Sequence, residues 1–159
     1  MTWNRKDTWV CVFDILGFSN KINEACNDYS RLMLTSQLDE IFETLQSDIM
    51  THGELEYIAF SDTITIFSPN LEVGSYPWFL LQCTNMIEKS IDVRLPMRGA
   101  ISVGTAFACD TPPIIIGPSF LEAHEYCEDQ DWVGLLLSPS ATIRLMNEGI
   151  EPLHHDFVN

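Results

Sequence analysis

Two aspartates carry the chemistry that can be read from this chain. Asp14 closes the apolar run Trp9-Val10-Cys11-Val12-Phe13, and Asp62 lies between Ala59-Phe60-Ser61 and Thr63-Ile64-Thr65-Ile66-Phe67. A carboxylate at the end of a buried strand is costly unless something cationic meets it. Two such carboxylates, the first followed by Ile15-Leu16-Gly17-Phe18-Ser19, suggest a divalent-metal site poised for phosphates. Hard ions such as Mg²⁺ or Mn²⁺ prefer carboxylate oxygens. Gly17-Phe18-Ser19 leads into a helix, and the backbone N–H groups of such a turn suit phosphate oxygens. Gly17 lets the backbone approach closely, whereas Phe18 reads as a buried plug that offers its main chain only. Each aspartate also has a plainer reading: a helix N-cap for Asp14 and a β-turn residue for Asp62.

The elements around them follow from periodicity. Trp9 to Phe13 reads as a buried strand ending at Asp14. Ser19 or Asn20 is the expected cap of a first short helix. Asp28 or Ser30 opens a longer one, with Leu32, Leu34, Leu38, Ile41, Phe42, Leu45 and Ile49 at helical spacing and Gly53 as its stop. Leu55 to Phe60 and Thr63 to Ser68 form two strands joined by a tight turn at Ser61-Asp62. A third helix spans Ser75 to Ser90, and a long strand spans Met97 to Phe107. After the loop signal Pro112-Pro113 comes the short apolar Ile114-Ile115-Ile116-Gly117. A helix from Ser119 to Glu128, a strand from Val133 to Leu137 and a helix beginning near Pro139 complete the chain. The order β-α-α-β-β-α-β-α-β-α predicts an α+β fold, with helices covering one face of a mainly antiparallel sheet.

At 159 residues the chain reads as one domain over 1–159, and 46% hydrophobic residues argue for a globular core. No apolar run approaches the roughly 20 residues of a membrane span. The opening Met-Thr-Trp-Asn-Arg-Lys-Asp lacks the apolar segment of a signal peptide, so a cytoplasmic location is expected. The net charge of −15, from 8 basic and 23 acidic residues, repels nucleic acid and anionic membranes. It stays compatible with a nucleotide, because a bound divalent cation inverts the local field. Cys11, Cys26, Cys83, Cys109 and Cys127 contain no Cys-x-x-Cys pair and read as reduced thiols. His154-His155 lies in a polar tail, and no His/Cys cluster has zinc spacing.

Four motifs in order, Phe-Asp-Ile-Leu-Gly-Phe-Ser from Phe13, Phe-Ser-Asp-Thr-Ile from Phe60, Arg-Gly-Ala-Ile-Ser-Val-Gly from Arg98 and Ile-Ile-Gly-Pro from Ile115, resemble the class III nucleotide cyclases. More narrowly, the match looks like the pyrimidine cyclases of the Pycsar antiphage defence system, and it runs from about Val10 to Ser138. The resemblance implies a ferredoxin-like core and a head-to-tail homodimer with active sites at the subunit interface. It implies two divalent ions held by Asp14 and Asp62, with the Ile15 carbonyl as a further ligand. It also implies a cyclic pyrimidine nucleotide that activates a separate effector.

This chain departs from the purine cyclases at positions that bear on substrate. Four residues before the second metal aspartate, those enzymes carry a Lys or Glu that reads the base; here stands Ile58, with Tyr57 beside it. A tyrosine can stack on or hydrogen-bond a smaller ring, or simply pack in the core. The Asn and Arg that stabilise the transition state, four and eight residues past the late-loop Gly117, are Leu121 and Glu125. Arg98 is the substitute candidate for a phosphate or base contact, with a strand-edge ion pair as its plainer reading. Trp132-Val133-Gly134 fits the pyrimidine branch and reads as structural. The family's final strands have no clear counterpart after Leu153-His154-His155. The expected activity is a Mg²⁺- or Mn²⁺-dependent cyclase making cUMP or cCMP from UTP or CTP, with UTP favoured. The alternative is a catalytically silent nucleotide- and metal-binding regulatory module with the same fold.

Overall fold

The computed structural model describes residues 4–25, 27–52, 55–72, 75–110 and 113–150. Its central strand is β1 (Asn4–Ile15). Trp9, Cys11, Phe13 and Ile15 point to one core and Val10 and Val12 to a second. A strand buried on both faces reads as a continuous apolar run, which is why no alternation is visible here. Strand β2 (Glu56–Phe60) pairs with β3 (Thr63–Phe67), β3 with β1, and β1 with β4 (Met97–Asp110), all antiparallel. Beyond them, β5 (Pro113–Ile116) pairs antiparallel with the far end of β4, and β6 (Gly134–Leu137) runs parallel to its beginning. The order is β2-β3-β1-β4-β5, with β6 attached to β4.

The larger core lies under α1 (Phe18–Glu24), α2 (Asp28–His52), α3 (Ser75–Asp92) and α5 (Pro139–Asn147). Phe18, Ile41, Leu45, Phe79, Met86 and Leu145 from these helices bury Trp9, Phe13 and Ile64. The expected α+β core is present, but one helix departs from the one-face arrangement. Helix α4 (Pro118–Glu128) packs on the opposite face, where its Ala123 and Cys127 meet Val10, Val12 and Ala100. The reason is the two-sided burial of β1: an apolar second face needs its own cover, and small side chains let a helix approach closely. Away from α4, Phe60 of β2 remains 82% exposed.

Several elements differ from expectation, β4 among them, which runs to Asp110 rather than Phe107. β1 begins at Asn4 rather than Trp9, because its polar start continues the pairing with β4, Arg5 opposite Phe107 and Asp7 opposite Thr105. The Thr105 hydroxyl donates to Asp7 Oδ1 at 2.7 Å there. The Ile114-Ile115-Ile116 stretch, absent from the expected order of elements, forms β5. Helix α1 starts at Phe18 without a side-chain cap, on Gly17 in the left-handed conformation. Gly117 turns β5 into α4 at φ +143°, and a Cβ there would stand 2.6 Å from the Thr105 carbonyl oxygen. Gly53, Cys26 and His154-His155 lie outside the described residues. Among the described residues, no helix is long and apolar enough to cross a membrane.

Candidate functional site

Strand pairing alone brings the two aspartates together. Asp14 is the penultimate residue of β1, opposite Thr63 of β3 on one side and Arg98 of β4 on the other. Asp62 immediately precedes Thr63, in the turn between β2 and β3 that Ser61 closes at φ 59°. The register therefore lays Asp62 beside Ile15, whose N–H donates to the Asp62 carbonyl at 3.1 Å. The Leu16 N–H donates to Pro96 O at 2.9 Å, fixing the chain as it leaves the sheet. Gly17, at φ 71° and ψ 19°, then reverses it into α1. A left-handed residue suits glycine, which has no Cβ to clash. Phe18 is buried in the larger core, so of its groups only the main chain faces the turn, as expected from its sequence context.

The cation that meets Asp14 is Arg98. Its Nε donates to Asp14 Oδ2 at 2.8 Å and its Nη2 lies 2.8 Å from the same oxygen in an ion pair, while Nη1 donates to the carbonyls of Glu128 and Gln130 at 2.8 Å each. The two side chains are 21% and 18% exposed. Gln130 is itself buried, and its Nε2 donates to Trp132 O at 3.0 Å and Gly134 O at 2.9 Å. Arg98 thus ties the end of β1 to the last turn of α4 and the loop that enters β6. Cys127 lies under the same group, its thiol 3.6 Å from Arg98 O. Burial, and then the charge of Asp14, push that thiol up to about 12, with Arg98 opposing. It stays protonated at neutral pH and is no nucleophile.

The remaining sequence candidates divide between the two faces. Ile58 shares a face with Asp14, packing toward Val12 and Phe67. Tyr57 points to the other face, its ring 6.4 Å from that of Phe42 and its hydroxyl 3.4 Å from Gln46 Nε2. Register separates it from the aspartates: Tyr57 is opposite Ile66, which is opposite Cys11, all in the larger core. Leu121 and Glu125 are exposed on α4. Arg98 stands in an ion pair, its plainer reading, and the one signal that Asp14 is the partner is the register between β1 and β4.

Among the described residues, no three His, Cys, Asp or Glu side chains converge as a metal cluster. What the site offers is two carboxylates and the main-chain carbonyl of Ile15, all hard oxygen donors, a set that suits Mg²⁺ or Mn²⁺ rather than Zn²⁺ or Cu²⁺. Both Arg98 bonds fall on Oδ2 of Asp14, which leaves Oδ1 for a cation. The residues fit the group.

No protein-family model and no curated protein sequence matches this chain. Solved structures do. The adenylyl cyclase CyaB from P. aeruginosa superimposes with a TM-score of 0.72 at 17% identity, over 92% of this chain and 84% of that one. The guanylyl cyclase Cya2 gives 0.70 at 15% identity, over 90% of this chain and 80% of that one. A class III adenylyl cyclase-like ATP-binding protein from Pseudomonas aeruginosa gives 0.69 at 16% identity, over 96% of this chain and 37% of that one. Likeness at such identities is a likeness of fold, and by it the chain has the mixed α+β core of the class III nucleotide cyclases.

Proposed function

We propose that this protein is a nucleotide cyclase converting a pyrimidine nucleoside triphosphate, UTP or CTP, to its 3′,5′-cyclic monophosphate and pyrophosphate. The observation that carries the reading is the convergence of Asp14 and Asp62 at one sheet end, joined by the Ile15–Asp62 hydrogen bond and followed by the Gly17 turn. In the reaction the ribose 3′-oxygen attacks the α-phosphorus in line. The bond to the bridging oxygen of the β-phosphate breaks, pyrophosphate leaves, and the hydroxyl proton passes to solvent. Two divalent ions, when bound, would acidify the 3′-hydroxyl and neutralise charge on the phosphates. Asp14, Asp62 and the Ile15 carbonyl are the groups to hold them, and the Gly17–Ser19 backbone the group to orient the outer phosphates. The work of the chain is positioning and electrostatics, and no His or Glu base is required.

Ile58 supports the pyrimidine. It stands on the Asp14 face where a purine-reading enzyme carries charge, so that purine-reading charge is missing here. A homodimer with shared sites belongs to this reading, and exposed Phe60, which pairs with Thr63 at the site end of the sheet, is the side chain a partner would cover. In this reading the product is a signal to a separate effector in antiphage defence, and the enzyme works in the cytoplasm. A second reading, a silent nucleotide-binding module, rests on Leu121 and Glu125, which supply neither a neutral amide nor a cation to a transition state.

The test is product analysis by chromatography and mass spectrometry after separate incubation with ATP, GTP, CTP and UTP plus Mn²⁺. Asp14→Asn and Asp62→Asn serve as controls. One cyclic pyrimidine monophosphate, absent from both variants, supports the cyclase. No cyclic product from a folded, metal-binding dimer transfers the reading to the silent module.

A further inference from the structure

Arg98 has its guanidinium committed inside the chain by three hydrogen bonds and an ion-pair contact, and this assigns it a task different from touching substrate. Nε and Nη2 grip one oxygen of Asp14, and Nη1 is shared by the Glu128 and Gln130 carbonyls at the end of α4. The last carbonyls of a helix are unpaired within it and carry the negative end of its dipole, so they are natural anchors for a cation. The anchor is itself braced. Gln130 is buried with its amide on Trp132 O and Gly134 O, and Gly134 pairs with Arg98 across the β4–β6 ladder. A planar guanidinium can bridge these acceptors in one fixed geometry, whereas a lysine ammonium cannot.

We propose that Arg98 is a positioning residue for the metal carboxylate: it turns Asp14 so that Oδ2 faces β4 and Oδ1 is presented to the cation. The inference rests on the cyclase reading of Asp14 and Asp62, and it adds the support behind them. Partners of this kind fix the orientation of a ligand, and removing one costs about 10- to 100-fold in metal affinity. By the same geometry, Arg98 ties the last turn of α4 to the first strand at the site.

The experiment measures Mn²⁺ binding to the full chain without nucleotide, by the loss of the free-ion electron paramagnetic resonance signal. Wild type is compared with Asp14→Asn, Arg98→Lys and Arg98→Gln, each checked by thermal melting. Arg98→Lys keeps the charge and loses the fork, and is expected to bind Mn²⁺ on the order of tenfold more weakly or worse. If Arg98→Lys binds as wild type does and Arg98→Gln binds more tightly, Arg98 acts only as a nearby positive charge and the proposal is overturned. If wild type and Asp14→Asn bind alike, the metal reading of the site fails, and this inference with it. A second measurement needs no variant. The Arg98 Nε–H in the wild-type chain is expected to stay protected from solvent exchange at saturating Mg²⁺; its release on metal binding would mean that the cation displaces the pair, and overturns the proposal.

Discussion

Asp14→Ala and Asp62→Ala are both expected to end turnover, yet they are expected to differ in stability. Removing the Asp14 carboxylate deletes the Nε hydrogen bond and the Nη2 ion-pair contact, each 2.8 Å, and leaves an Arg98 side chain that is only 18% exposed with carbonyl partners alone. Hydrogen bonds to charged groups contribute about 1.5–3 kcal/mol each. Both of these end on one oxygen of a partly solvated pair, which brings the sum to about 2–3 kcal/mol. In a domain of this size each kcal/mol lowers the melting temperature by about 2–4 °C, so Asp14→Ala should melt roughly 4–12 °C below wild type. Asp62 is different. Its structural bond is the main-chain carbonyl that accepts from Ile15, which alanine keeps. Asp62→Ala should therefore stay within about 0.5 kcal/mol of wild type. Circular-dichroism melts in EDTA make the comparison, because chelation removes any stabilisation by bound metal. Equal melting temperatures for the two variants would refute the claim that Arg98 depends on Asp14.

Two further predictions concern alkaline stability and the open sheet face. Cys127 and Tyr76 are pushed up to about 12 and Cys11 well above its ordinary value, each chiefly by burial. These groups ionise first in the unfolded chain, so the folded state binds more protons above about pH 9 and stability falls as pH rises from there toward 12. Each adds a slope of up to about 1.4 kcal/mol per pH unit, and Cys127→Ala should flatten the fall between pH 9 and 11; an unchanged slope would contradict this. Phe60→Glu places a charge on the exposed face of β2 and should weaken dimerisation by at least about 30-fold, as loss of a central aromatic contact does. Sedimentation velocity beside cyclase assays checks it: a dimer that persists takes Phe60 out of the interface, and a monomer that keeps full activity sinks the shared-site reading.

The sequence made most of the ladder legible because its strands and helices carry strong periodicity and punctuation. Val10 to Phe13 reads as a buried strand, and Ser61-Asp62 as a turn between two β-branched runs. Helix α4 over the second face was not legible, since a run such as Val10-Cys11-Val12-Phe13 shows that both faces are buried but not which helix covers which. Tyr57 and Ile58 show the same limit at the scale of one residue. Adjacent in sequence, they point to opposite faces, and only the pairing of Tyr57 with Ile66 and Ile58 with Thr65 says which joins Asp14. Arg98 could be singled out as a cation near the site. Its partner could not, because the contact joins residues 84 apart and depends on the register of β1 against β4.

Charge gives the site its remaining constraint. The chain has eight basic residues, and Lys6, Arg31, Lys89, Arg98 and Arg144 all stand in ion pairs with Glu56, Asp28, Glu40, Asp14 and Glu148. Lys21, in α1, donates to the Arg94 carbonyl. A nucleoside triphosphate carries about four negative charges at neutral pH, and this protein has a net charge of −15. Few cations are left to receive such a ligand, and the one beside Asp14 is already spent on that carboxylate. In the cyclase reading, the triphosphate must then arrive with its own divalent cations, which reverse the sign of the field that Asp14 and Asp62 create. Metal is for that reason required for recognition of the nucleotide before it is required for chemistry. In the same reading, the acidity of the chain makes the site depend on a metal-bound nucleotide.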